Sequence, residues 1–315
     1  MPRGRPSPHK PPAELAVPLN FDARYGKGID RGLCLGGGGV FFVAWQAAYL
    51  RTLANQGIRL EDSEMIVGTS AGSMVASALA SGKLNRLYSE ISLASKVPAI
   101  VSALAHTSQL HPSQQRALDL FIKATDGDPG TVQEIGHAAL AAQTPSATTT
   151  RRNMTLVLGT SRWVSDTLRI TCVDAYTGER CVVTRGANTT MGRAVAASSA
   201  VPGIFAPQPI GDRRCMDGGV SGTGTHLDLL AGARRVLILA LTDGSEMNEG
   251  MMTSHPGSGR QELDDLVASG TDVVLRTPSE VDLLELMSAS SVPAALAMGA
   301  RQASADIGAL STFWG

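Results

Sequence analysis

The chain has 315 residues, enough for one large α/β domain or two small ones, and its 43% hydrophobic and 17% charged content is that of a globular protein. The 27 basic and 28 acidic residues leave a formal net charge of -1, which excludes the basic excess of a nucleic-acid binder. The four cysteines (Cys34, Cys172, Cys181, Cys215) show no metal-ligand spacing and read as reduced core thiols of a cytosolic protein, with no metal site.

Residues 1–30 carry Pro2, Pro6, Pro8, Pro11, Pro12 and Pro18 with scattered charges and no apolar core of signal-peptide length. They predict a disordered tail and no secretion signal, so the expected location is cytoplasmic. No stretch reaches membrane-spanning length, so any membrane contact is peripheral. Folded sequence is expected from about Gly32. Leu33-Cys34-Leu35 reads as a buried strand that ends in Gly36, Gly37, Gly38 and Gly39. A helix follows over residues 40–55, with Gly57 as its stop. Met65-Ile66-Val67 is a second buried strand, turning through Gly68-Thr69-Ser70-Ala71-Gly72 into an Ala-rich helix that stops at Gly82. Strands alternating with helices predict a parallel sheet covered on both faces.

Residues 85–150 are rich in Ala, Ser, Gln and Thr and are broken at Pro98, Pro112, Asp126-Gly127 and Pro145. They read as mobile helices that form a cap-like insertion, with a loop over 141–150. Strands are expected again at 154–158, 168–173 and 181–184, the last two as a hairpin around Thr177-Gly178. A short helix over 191–198 leads to Val201-Pro202-Gly203, and Arg214-Cys215-Met216 leads into Asp217-Gly218-Gly219. The remaining expectations are strands at 236–241 and 272–275 and helices near 261–268, 280–287 and 292–310.

Three features carry chemistry. Gly68-Thr69-Ser70-Ala71-Gly72 fits G-x-S-x-G between a strand and a helix, a setting that presents a serine hydroxyl on a strained turn. The helix N-terminus behind Ser70 favours negative charge nearby. The four-glycine loop exposes consecutive N–H groups. Phe41 or Phe42 stands where a dinucleotide-binding loop needs its last glycine, and no lysine completes a P-loop. An oxyanion hole from Gly37, Gly38 and Gly39 competes with a purely structural tight turn. A serine needs a base. Of His9, His106, His111, His137, His226 and His255, only His226 follows a strand and glycine loop, and it too reads as a surface histidine. Asp217, directly after a strand, is the better candidate if desolvation holds up its proton affinity.

In order along the chain, these segments resemble the patatin-like phospholipase family. Leu35-Gly36-Gly37-Gly38-Gly39 looks like its oxyanion loop and Gly68-Thr69-Ser70-Ala71-Gly72-Ser73 like its nucleophile elbow. The segment from Arg193 through Ala197-Ser198-Ser199-Ala200-Val201-Pro202-Gly203 to Phe205 is similar to the block before the base. Met216-Asp217-Gly218-Gly219-Val220 is similar to its D-G-G/A motif. The resemblance implies a three-layer α/β/α sandwich with a central, mostly parallel sheet. It implies a Ser70–Asp217 dyad without histidine, no cofactor, a lipid or acyl-ester substrate, and an 85–150 insertion that helps shape the acyl pocket. The sequence departs from the family's G-G-G-x-R/K-G at Phe41 and Phe42. That departure keeps a second reading open, a degenerate lipid- or partner-binding member; thioester hydrolysis and acyl transfer are further readings.

Overall fold

In the computed structural model the described residues are 15–94, 110–243, 257–282 and 285–315. Eight strands among them form one sheet: β1 (Arg31–Leu35), β2 (Met65–Thr69), β3 (Leu168–Asp174), β4 (Arg180–Val183), β5 (Gln208–Ile210), β6 (Arg213–Asp217), β7 (Arg235–Leu239) and β8 (Asp272–Arg276). Their order is β5-β6-β3-β2-β1-β7-β8, with β4 also paired to β3. The run β3-β2-β1-β7-β8 is parallel, and β4, β5 and β6 add antiparallel pairings at one side.

Side chains alternate across the sheet. Leu33, Leu35, Ile66, Leu237 and Leu239 enter one core, and Cys34, Val67, Val236 and Ile238 enter the other. Both faces are therefore apolar, as strands covered on both sides require. The first face is covered by α1 (Gly39–Asn55), α2 (Ala71–Ala80), α3 (Leu84–Ala94) and α9 (Val292–Trp314). α1 is apolar nearly all round because it is buried between sheet and α9. Phe42 stacks on Trp45 at 5.4 Å and Trp45 on Tyr49 at 5.0 Å. The helix is pinned where the Trp45 indole donates to Gln302 and the Tyr49 hydroxyl donates to Asp306 (2.8 and 2.6 Å). The second face is covered by α8 (Ser258–Ala268) and the turn Leu227–Leu230.

The insertion contains α4 (Pro112–Lys123), α5 (Pro129–Ala141) and α6 (Ala147–Leu158). Phe121, Val132, Ile135 and Ala139 pack on Val173, Met216 and Val220, so the insertion leans on the sheet beside Asp217. Pro98 and His106 of this region lie outside the described residues, as do His9 and His255. α7 (Met191–Ser198) packs on α2, α6 and the sheet.

Four expectations change. Residues 154–158 are the last turns of α6, not a strand. Ser146 caps this helix by accepting from the Thr149 N–H, and Gly159 ends it in the left-handed region. These local signals outweigh a short apolar run that fits either structure. The expected loop over 141–150 shrinks to 142–146 between α5 and α6. Residues 15–30 are not a tail. Leu15 is buried, the Val17 N–H donates to the Arg180 carbonyl, the Asn20 N–H donates to Asp228, and the Gly26 N–H donates to the Ala231 carbonyl. Residues 1–14 lie outside the described residues. The helix expected at 280–287 is not seen in the described residues 280–282, and residues 283–284 lie outside them. The hairpin is present, with Cys172 opposite Cys181.

Candidate active site

Ser70 and Asp217 are brought together by β3. On that strand Thr171 is the partner of Thr69, the last residue of β2, and the next residue, Cys172, is the partner of Asp217, the last residue of β6. β2 and β6 run in opposite directions, so their C-terminal ends meet. The Ser70 hydroxyl donates to Asp217 Oδ2 at 2.6 Å.

The turn that carries Ser70 is tight. Its backbone sits at φ 50 and ψ −118, a strained conformation for a residue with a side chain. Gly72 makes the turn feasible, because a Cβ there would overlap the Leu35 carbonyl. Several hydrogen bonds hold it. The Ser70 N–H donates to Ser198 Oγ (2.9 Å), the Ser73 hydroxyl donates to the Ser70 carbonyl (2.7 Å), and the Gly72 N–H donates to the Gly36 carbonyl (3.1 Å). Ser198, at the end of α7, was not singled out as a supporting residue by sequence, although it lies in the block before the base.

Asp217 is buried, and desolvation lifts its carboxyl from 3.8 to about 6 against the pull of the Ser70 hydroxyl and the Gly219 N–H, which donates to Oδ1 at 2.8 Å. Among the hydrogen bonds of the described residues, none joins His226 to Ser70 or Asp217. Its ring is buried, not at the surface as its sequence setting suggests, and Nε2 meets the Gly218 carbonyl at 3.1 Å, which makes Nε2 the protonated nitrogen. Burial first, then the Arg180 charge, lowers it from 6.5 to about 3, so it stays neutral. It is a structural clasp on the residue after Asp217.

The glycine loop lies beside the serine, since a Cβ on Gly37 would come 3.3 Å from the Ser70 Cβ. The expected three donors are not all free. The Gly37 N–H already donates to the Gly224 carbonyl at 3.0 Å. Gly38 and Gly39 open α1, where N–H groups have no partner in their own helix. Gly39 sits at φ +66, a conformation that favours glycine. Ala71, the first residue of α2, is placed likewise, and sequence reading passed it over although the residue after a G-x-S-x-G serine is the usual oxyanion donor. Phe41 and Phe42 are buried in the main core, so neither takes the place of a cation facing the site.

This combination of elbow, glycine loop and aspartate is matched by a family model described as patatin-like phospholipase over residues 33–229. The chain belongs to the patatin-like phospholipase family. Its sheet, mostly parallel and flanked by helices, agrees with the family's expected fold. Members of the patatin-like phospholipase family are usually esterases or phospholipases. No curated protein matches it in sequence. Among solved structures, the crystal structure of the type III effector protein ExoU aligns with 87% of this chain at 16% identity and a TM-score of 0.31. The chain spans about half the length of that protein, covering 53% of it.

No helix among the described residues is long and apolar enough to cross a membrane. The sulfur atoms of Cys172, Cys181 and Cys215 lie within 4.8 Å of one another on β3, β4 and β6, a convergence that their sequence spacing hides.

Proposed function

We propose that the protein hydrolyses carboxylic esters of fatty acyl groups through a Ser70 acyl-enzyme, with Asp217 as the only base. The observation that carries this reading is the 2.6 Å hydrogen bond from the Ser70 hydroxyl to a buried carboxylate, made on a strained strand-to-helix turn. A carboxylate lifted to about 6 is still ionised at neutral pH, yet binds a proton far more readily than one in water.

Ser70 Oγ attacks the ester carbonyl and its proton passes to Asp217 Oδ2. The N–H groups of Gly38, Gly39 and Ala71 hold the oxyanion, assisted by the N-terminus of α2. Asp217 then protonates the departing alcohol. A water enters, gives its proton to Asp217, and attacks the acyl-serine; collapse returns the proton to Ser70 and releases the acid. The substrate is a lipid or another acyl ester, and contact with a membrane is peripheral.

A panel of soluble acyl esters and phospholipids tests the reading with Ser70→Ala and Asp217→Asn. Both variants lose turnover by about 10³-fold or more while their melting curves stay cooperative. A folded His226→Ala protein retains turnover within about tenfold. Turnover that survives in Ser70→Ala excludes the nucleophile, and a His226→Ala protein as inactive as Ser70→Ala replaces the dyad with a triad.

A further inference from the structure

Glu262 lies on α8, beyond the residues that the family model matches, and its side chain is buried. A buried carboxylate needs partners. Its Oε2 accepts from the hydroxyls of Thr223 (2.6 Å) and Thr225 (2.7 Å), while Oε1 has no partner among the described residues. These are the short distances of charge-assisted O–H···O⁻ bonds. Thr223 Oγ1 in turn accepts from the N–H groups of Thr225 and His226. The bend 223–226 is thereby tied to α8. Between the two threonines sits Gly224, whose carbonyl accepts from the Gly37 N–H at 3.0 Å. The Cys34 thiol donates to the next carbonyl, Thr225, at 3.2 Å. Hydrogen bonds at both ends of the short 223–225 backbone therefore connect Glu262 to the glycine loop.

We infer that Glu262 is a positioning residue for the oxyanion loop, holding the Gly224 carbonyl against Gly37 so that the N–H groups of Gly38 and Gly39 stay aimed at Ser70. The role in turnover rests on the esterase reading above; the brace itself does not. Burial lifts Glu262 from 4.5 to about 7, opposed by the two threonine hydroxyls. The other groups that act on it are Asp228 of the 227–230 turn, which disfavours its charge, and Arg180 of β4, which favours it; Cys34 of β1 is held as the neutral thiol by burial and by Glu262 itself. His226, beside them, is neutral. The brace thus depends on an oxygen that accepts from both threonine hydroxyls.

The test compares the full-length wild type, Glu262→Ala and Glu262→Gln in two measurements. Hydrogen exchange of a peptide spanning residues 33–40 should be about tenfold faster in Glu262→Ala and near wild type in Glu262→Gln, whose amide oxygen still accepts from both threonines. With a soluble ester, kcat should fall about 10- to 100-fold in Glu262→Ala with KM within about twofold, because the oxyanion contact strengthens only in the transition state. Glu262→Gln should recover most of that loss. If Glu262→Ala does not fold, Thr223→Val combined with Thr225→Val removes the same two donors and should reproduce both effects. Unchanged exchange in a folded variant overturns the inference. So does a loss of activity carried in KM, or one that glutamine does not rescue. Faster exchange in a protein that shows no turnover even as wild type supports the brace and refutes the esterase reading instead.

Discussion

At the scale of single residues, the proposal that a carboxylate is the base rests on where β3 places it. Asp217 is paired one residue along from Thr69's partner, and burial does the rest by lifting its carboxyl to about 6. Asp217→Asn keeps the shape and the Gly219 bond but cannot take the serine proton. Its turnover should fall by about 10³-fold or more, and the protein should remain folded. Asp217→Glu is a sharper probe. It keeps the carboxylate but adds a methylene in a site closed by a 2.6 Å bond, and should lose about 10²-fold through misplacement alone. Equal activity of the Glu variant and the wild type would mean that the observed geometry is not the working one. Ser70 and Asp217 were legible in the sequence because each stands in a short motif with its own backbone requirement. The Gly37 donor was misread for a physical reason: an N–H already committed to a distant carbonyl, here Gly224, looks free in sequence.

At the scale of elements, the start of α1 does two jobs. Its first residue, Gly39, closes the glycine loop, and its aromatic side chains anchor the main core. Phe41 stands where the family usually carries a cation, but its side chain is buried. Phe41→Arg should therefore destabilise the protein by about 3 kcal/mol or more, by burying an unpaired charge, and should lower the melting temperature without creating a preference for anionic lipids. A Phe41→Arg protein that melts like wild type and turns over anionic lipids faster would show that this position faces the substrate. Elements with strong local signals were legible. The glycine loop, the elbow, the 191–198 helix and the β3–β4 hairpin all appear where residues alone place them. α6 was missed because its final residues, Met154 to Leu158, form a short apolar run with no period of its own, while the deciding caps at Ser146 and Gly159 lie at its ends. The packing of residues 15–30 was missed because their partners, Arg180, Asp228 and Ala231, are remote in sequence.

At the scale of the whole molecule, two buried polar devices join the sheet's far elements. Arg180 of β4 forms a bidentate pair with Asp228 at 2.6 and 2.7 Å and also donates to the Val17 and Pro18 carbonyls. Asp228→Ala leaves that guanidinium buried without its carboxylate and should cost about 3–5 kcal/mol in denaturant unfolding, whereas Asp166→Ala, in an exposed pair with Arg185, should cost less than about 1 kcal/mol. The second device gives stability a pH dependence. Asp217 and Glu262 are both raised when folded, to about 6 and about 7, so the stability each contributes is full below its ordinary value and is lost as pH rises through the folded one. His226, lowered to about 3, acts in the opposite sense and loses its contribution as pH falls below its ordinary 6.5. Replacing Glu262 by Gln removes one of the raised groups. The stability of Glu262→Gln relative to wild type should therefore grow from pH 5 to pH 8 by about 2–3 kcal/mol, read from denaturant melts at each pH. A constant difference across that range would mean that Glu262 is not buried as a titrating carboxylate. Whether Ser70 is a nucleophile activated by Asp217 alone is decided by intact-protein and peptide mass spectrometry after exposure to a fluorophosphonate. One phosphonyl adduct is expected, on the peptide bearing Ser70, formed at least about 10²-fold more slowly in Asp217→Asn, at a near-wild-type rate in a folded His226→Ala protein, and absent in Ser70→Ala. An adduct that persists in Ser70→Ala, or a wild-type protein that takes up none, would contradict this role for Ser70.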